Sequence, residues 1–220
     1  MQTVNNNNRS LRYGRIANTA HTTRPWRIHE ITPDFRLEDV WILPTPGGAN
    51  DFHLLVSKLT TGGRPEQGAT FIGRLLWAIR WKLGKWFGWD RKEHGLGSRV
   101  TSLRNRLPAD LLNCLVPETK NALFKPLYLL PNEYASEIAN STVHGVLHLG
   151  WVEDGSGGYC GQMAVLVKPN GPLSKVYLAF IKPFRYIFIY PALMRRFERE
   201  WKQPRIDTAN NSQPDYSATG

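Results

Sequence analysis

The sequence predicts an α+β domain in which a curved antiparallel sheet grips a long, kinked C-terminal helix. Three observations predict it. Between Phe124 and Lys168, apolar residues recur at every second position, in runs separated by a few turn residues. From Asn170 to about Trp201, a bulky apolar stripe recurs at helical spacing. Ahead of both lie short aromatic and β-branched runs and two amphipathic helical stretches. An antiparallel sheet with one apolar face has to be covered, and the last helix has the length and the face to do it.

Each element follows from its own residues. Trp26 to Ile31 and Leu37 to Leu43 read as strands around the turn Thr32-Pro33-Asp34. Pro44-Thr45-Pro46-Gly47-Gly48 breaks the chain. Asn50 or Asp51 then caps a helix through about Leu59, with Phe52, Leu55, Val56 and Leu59 on one side, and Gly62-Gly63 ends it. Phe71 to Trp89 is a second helix, because Ile72, Leu75, Leu76, Ile79, Leu83 and Trp86 form one stripe. Ser98 to Leu107 is assigned as a strand, and Pro108 to Leu112 as one helical turn. Leu127 to Leu130, Tyr134 to Ala139, Thr142 to Val152 and Tyr159 to Lys168 are strands. They are divided by Pro131-Asn132, Asn140-Ser141 and Asp154-Gly155-Ser156-Gly157-Gly158. Strands spaced this closely form a meander, since a parallel crossover needs about a dozen residues. The final helix carries Leu173, Val176, Tyr177, Phe180, Phe184, Ile187 and Met194 on its stripe. Pro183 and Pro191 each remove a backbone donor and should kink it.

Composition bounds the function classes. The chain has 220 residues, 41% of them hydrophobic and 21% charged, which describes a globular protein and excludes a disordered or fibrous one. Two cysteines, Cys114 and Cys160, exclude a disulfide framework and a multi-cysteine zinc site, and fit a reducing compartment. MQTVNNNNRS lacks the apolar core of a secretory signal. The apolar run Ile187 to Met194 is far shorter than the roughly 20 residues of a membrane span. The expected location is the cytoplasm. Residues 1–23 and 203–220 are polar and read as disordered tails, leaving 24–202 as one folded unit.

Two segments carry a resemblance. Tyr134 to Trp151 (YASEIANSTVHGVLHLGW) and Lys168 to Arg196 (KPNGPLSKVYLAFIKPFRYIFIYPALMRR) resemble an uncharacterised bacterial family of the START-like superfamily, also called Bet v 1-like, SRPBCC or helix-grip. Arg24-Pro25-Trp26 and Phe35 to Leu43 fit its beginning, and IKPFR and YPALMRR are its most specific part. The resemblance spans about Trp26 to Trp201 and implies a helix-grip fold with an apolar pocket. Members of that family also occur behind NAD(P)-binding domains of the short-chain-dehydrogenase kind, which implies an oxidoreductase as one partner class. The family supplies no reaction. This chain has no glycine-rich nucleotide loop and no Gly-x-Ser-x-Gly elbow, and no cofactor is expected.

The candidate ligand site is built from aromatic residues. Trp151 on the sheet faces Tyr177, Phe180, Phe184 and Phe188 on the final helix, with Phe71 or Trp77 at one end. Such a stripe forms either a filled core or the lining of a cavity, and the resemblance implies the cavity. The expected partner is therefore a small hydrophobic or amphipathic molecule. His144 and His148 share one side of their strand with Val146, while Val143, Leu147, Leu149 and Trp151 share the other. That phase puts the histidines outside, solvated or bonded to neighbours, whereas a bulge would turn His148 into the cavity. Asp34, Glu38 and Asp39, with Glu133 and Glu137, are expected at the surface, and any of them buried in the cavity could act as a general base. Glu137 is the best third ligand for the two histidines, but its spacing does not make a metal site. Evidence for catalysis is thin, and the alternative is a cyclase- or hydrolase-like enzyme using the same cavity.

The helix from Phe71 to Trp89 offers another reading. Trp77 and Trp81 lie opposite its apolar stripe, with Arg74, Lys82 and Lys85 near them. Phe71 to Arg106 holds nine basic and two acidic residues, a net +7 of the chain's +10. Tryptophans among cations suit an anionic membrane surface, which would place the protein peripherally on the inner face. A helix packed on both sides with snorkelling cations is the alternative. Nucleic acid ranks well below both, since no binding motif accompanies the charge.

Overall fold

The computed structural model describes residues 13–61, 100–114, 116, 124–139, 143–170, 178–179, 182–183 and 185–203. Within these residues the chain is α+β, with six antiparallel strands in one curved sheet and a C-terminal helix on one face. This arrangement is consistent with a helix-grip-like fold. The strands are β1 (Gly14–Ile16), β2 (Arg36–Ile42), β3 (Lys125–Leu129), β4 (Glu133–Ala139), β5 (Val143–Glu153) and β6 (Tyr159–Pro169). They lie in the order β1-β2-β6-β5-β4-β3. β3 to β6 form the meander that the turn residues predict. At the β5–β6 turn, Asp154 Oδ1 accepts from the backbone N–H groups of Ser156 and Gly158, and Gly155 and Gly157 take positive φ values of 78° and 93°. Only glycine enters that region without strain.

Both faces of the sheet are covered. On one face lie α3 (Phe52–Thr61) and α5 (Tyr190–Lys202), the latter preceded by a π-helical turn at Arg185–Ile189. They bury Phe52, Leu55, Leu193 and Phe197 against Leu149, Trp151 and Met163. The other face carries a second layer made of α1 (Thr19–Thr22), α2 (Ile28–Ile31), a 3₁₀ turn (Leu103–Arg106) and α4 (Ala109–Leu112). There Trp26, Ile28, Ile31, Leu103 and Leu111 pack on Val40, Val146, Ala164 and Leu166. Alternation along β5 feeds both cores, which is why its residues from His144 to Val152 are all buried.

Several expectations need correction. The folded unit begins earlier than residue 24: β1 pairs with β2 through Gly14–Ile42, Arg15–Trp41 and Ile16–Val40, and His21 is fully buried. Backbone pairing, which leaves no apolar signature, orders this segment. Trp26 to Ile31 is not a strand. Ile28 and Ile31, three apart, turn to the same core as one helical turn. The described part of the strand expected from Ser98 to Leu107, residues 100–107, is not a strand either, because Ser102 Oγ accepts the Arg104 N–H at 3.1 Å and starts the 3₁₀ turn. The helix expected from Phe71 to Trp89 lies outside the described residues. So does most of 170–184 of the expected final helix, whose described part changes from π to α geometry beside Pro191.

Candidate functional site

Residues directly opposite in an antiparallel sheet share a face, so the register sorts the site residues. On the helix face, Asp39, Val165, Leu147 and Ser136 form one row, and Trp41, Met163, Leu149 and Tyr134 form the next. Asp39 therefore stands on an apolar surface. It comes just after an irregularity in β2, where the register shifts between Leu37 and Asp39. Its side chain is 1% exposed.

Four side chains converge on that carboxylate. Arg185 Nη2 and the Tyr190 hydroxyl donate to Oδ2, the latter at 2.8 Å, and the Tyr186 hydroxyl donates to Oδ1. Arg15 Nε lies 3.4 Å from Oδ1. Arg185 and Tyr186 come from the π-helical turn and Tyr190 opens α5, so the cluster pins the start of the C-terminal helix to the sheet. Extra residues in a π-turn re-aim side chains, and such turns recur at functional sites. Aromatic rings wall the cluster: Trp41 is 4.4 Å from Tyr190 between centroids, and Arg15 lies over the Tyr186 ring at 5.1 Å. Trp41 Nε1 is buried and has no hydrogen-bond partner among the described residues. Burial, aided by Asp39, pushes the Tyr186 phenol up to about 12. Burial raises that of Tyr190 as well, against the opposing charge of Arg185. Both phenols are donors at neutral pH.

The opposite face holds a different array. Gln162, Gly150 and Glu133 form one row, and Ala164, His148 and Ala135 the next. A Cβ on Gly150 would stand 2.6 Å from the Trp26 ring, so glycine here makes room for that indole. Glu133 Oε1 accepts from the Tyr128 hydroxyl at 2.5 Å and the Ile28 N–H at 3.0 Å; Oε2 accepts the Arg27 N–H at 3.0 Å. His148 Nε2 is 3.1 Å from Oε1, and His148 Nδ1 is 3.0 Å from His21 Nε2. Glu133 thus faces the Nε2 edge of His148, and the two histidines share a hydrogen bond between His148 Nδ1 and His21 Nε2. Glu137 repeats the plan two rows along: it accepts from the Ser102 hydroxyl and the Leu103 N–H, and His144 Nε2 lies 2.8 Å away. Each glutamate thus meets the first N–H groups of a helical turn in the covering layer and a diagonal histidine on the next strand.

Electrostatics favours neutral His148 beside an ionised Glu133, and an ionised Glu137. Burial works against the Glu133 charge, but His148, Tyr128 and the Arg27 N–H hold its pKa below the ordinary value. Glu137 is likewise held down against burial by His144, Ser102 and Leu103. Burial lowers His148 and outweighs the pull of Glu133. His21 is pushed from 6.5 down to about 2 by burial, with His148, His29 and Arg24 adding to it. A folded pKa below the unfolded one means that this stability is complete above pH 6.5 and drains away as pH falls toward 2. Urea unfolding between pH 6.5 and 5, above the carboxylate range, should show stability falling by up to about 1.4 kcal/mol per pH unit for His21 alone. His21→Asn should flatten that slope, and an unchanged slope would contradict the assignment.

The structure places the sequence candidates unevenly. Trp151 does face the helix layer, but as core: its Nε1 donates to the Gly48 carbonyl at 2.9 Å and its ring lies between Phe52 and Trp201. His148 is on the face turned away from α5 and cannot line a space between sheet and helix. Neither histidine is solvated, since His144 is 3% and His148 0% exposed beneath the second layer. Glu133, Glu137 and Asp39 are buried rather than superficial. Phe188 is on the described π-turn and 59% exposed, beside Ile187 at 63%. Phe71, Tyr177, Phe180 and Phe184 lie outside the described residues, as do Arg74, Trp77, Trp81, Lys82 and Lys85 of the basic helix. Cys160 is buried, Cys114 partly so, and both are free thiols. Among the described residues no group of three or more His, Cys, Asp or Glu is arranged to hold a metal ion, and no helix is long and apolar enough to cross a membrane.

Sequence reasoning missed the partners of Asp39. A signal was present: Asp39 is in phase with Trp41 and Leu43, an acid on an otherwise apolar side of β2. Its partner Arg185 is 146 residues away, inside the IKPFR segment.

Residues 31–192 match a family profile described as a protein of unknown function, DUF2867. Neither a curated protein nor a solved structure matches the chain.

Proposed function

The chain belongs to the DUF2867 family, and on that premise we propose that it is a non-catalytic binding protein for a small hydrophobic or amphipathic molecule seated between the sheet and the C-terminal helix. The observation that carries this reading is the Asp39 cluster: buried polar groups fixed by a π-turn on an apolar sheet face, next to the half-buried Trp41 and Val165. Small-molecule sites combine an apolar lining with a few convergent polar groups. The cluster recognises rather than reacts, because both phenols stay protonated and serve as donors. An enzyme acting through His144, His148 or Glu137 in the same space lacks support, since those groups occupy the other face. Kinship with the START-like superfamily and partnership with an oxidoreductase belong to this proposal too. So do a cytoplasmic location and a peripheral membrane contact through the basic helix.

Native mass spectrometry of the purified chain tests it. The expected spectrum contains an adduct of small-molecule mass that organic extraction removes. A clean mass of the bare chain, together with no binding of an environment-sensitive apolar dye, would contradict the reading.

A further inference from the structure

Resting on that binding reading, we infer that the polar end of the ligand is a single anionic group, a carboxylate or phosphate, received by Arg15 and Arg185. Charge is the first argument. The cluster contains two guanidiniums and one carboxylate, and its two phenols are neutral, so one positive charge is in excess. The neighbouring Glu38 also acts on Arg185 but brings the counter-charge of Arg36 with it, so the excess among the described residues stays at one.

Donor inventory is the second. Asp39 is saturated by Arg185, Tyr186, Tyr190 and Arg15, whereas among the described residues the two arginines are not. Arg185 commits Nη2 to Asp39 and Tyr190. Arg15 commits Nε alone, at 3.4 Å, and its side chain is 51% exposed. The Nη1–Nη2 edge of Arg15 has no partner among the described residues, and that edge matches the two oxygens of a carboxylate or phosphate. Its position is preset, because the guanidinium rests over the Tyr186 ring at 5.1 Å and β1 is paired to β2. The half-buried rings of Tyr186 and Trp41 pack with Tyr190 beside this guanidinium, apolar neighbours for a tail. A cationic head group would meet the excess positive charge and be repelled.

Calorimetric titration of the full chain with decanoate, decyl phosphate and decanol, each below its micelle concentration, tests the inference. The expected result is binding of one or both anions at least about tenfold tighter than decanol, as charge-assisted hydrogen bonds would give. Arg15→Gln should bring the anions close to decanol, while Lys202→Gln, whose side chain is 73% exposed and paired with Glu198 outside the cluster, should keep the difference. A preference between the two anions names the head group and supports the inference. Equal binding of anion and alcohol, or an Arg15→Gln chain that keeps the preference, overturns the anion assignment and leaves the binding reading standing. No binding by any of the three overturns both.

Discussion

Glu133→Ala is expected to remove most of the chain's stability, by several kcal/mol. This carboxylate accepts the Tyr128 hydroxyl and the N–H groups of Arg27 and Ile28, and it faces His148. Alanine supplies no acceptor, and Tyr128, Ile28 and His148 are fully buried, with 0% exposure. Each stranded donor costs about 1–3 kcal/mol, against a total stability of about 5–15 kcal/mol for a domain. The layer formed by α1 and α2 would lose its tie to the sheet. Glu133→Gln keeps one acceptor oxygen and should fall between wild type and alanine. Glu30→Ala, a 58% exposed neighbour paired with Arg27, should shift stability by less than about 1 kcal/mol. Urea unfolding followed by circular dichroism reads all three. A Glu133→Ala chain within 1 kcal/mol of wild type would contradict a clamping role.

Asp39→Ala should cost about 3–5 kcal/mol, the penalty for leaving a buried guanidinium without its counter-charge. Arg185 is 9% exposed, and Tyr190 would lose its acceptor together with it. The damage should centre on the junction between β2 and the π-turn. Asp39→Leu combined with Arg185→Met removes both charges, and it should recover much of the loss, because a well-packed apolar pair can equal a buried ion pair. Denaturant midpoints of the two variants decide between them. If the double variant is no more stable than Asp39→Ala, burial of an unpaired charge is not the cause.

The meander was legible because period-two patterning and dense turn residues leave few alternatives. Its register follows once the two faces are known, and the C-terminal helix was legible as an element, although its buried face runs through Tyr190, Leu193 and Phe197 rather than through Ile187, which is 63% exposed. What the sequence concealed is the second layer. Gly14 to Ile16 holds its place by backbone hydrogen bonds, and α2 and the 3₁₀ turn are too short to show periodicity. Their stability comes from Glu133 and Glu137, which are remote in sequence from the N–H groups they accept. Carboxylates and histidines in phase on two adjacent strands read as a solvated face when no covering layer is visible. The same array becomes a buried one when polar partners arrive from elsewhere in the chain. Asp39 illustrates the limit: its environment depends on an irregular register in β2 and on an arginine near the other end of the chain.

Two indole nitrogens, those of Trp41 on the helix face and Trp26 on the histidine face, are buried with no hydrogen-bond partner among the described residues and report which side of the sheet receives a guest. The decisive measurement is the movement of their Nε1–H resonances in a ¹⁵N-correlated spectrum during titration with decanoate, assigned with Trp41→Phe and Trp26→Phe chains. The Trp41 signal is predicted to shift in proportion to occupancy while that of Trp26 stays fixed. A fixed Trp41 signal, or movement confined to Trp26, would contradict a site between the sheet and the C-terminal helix.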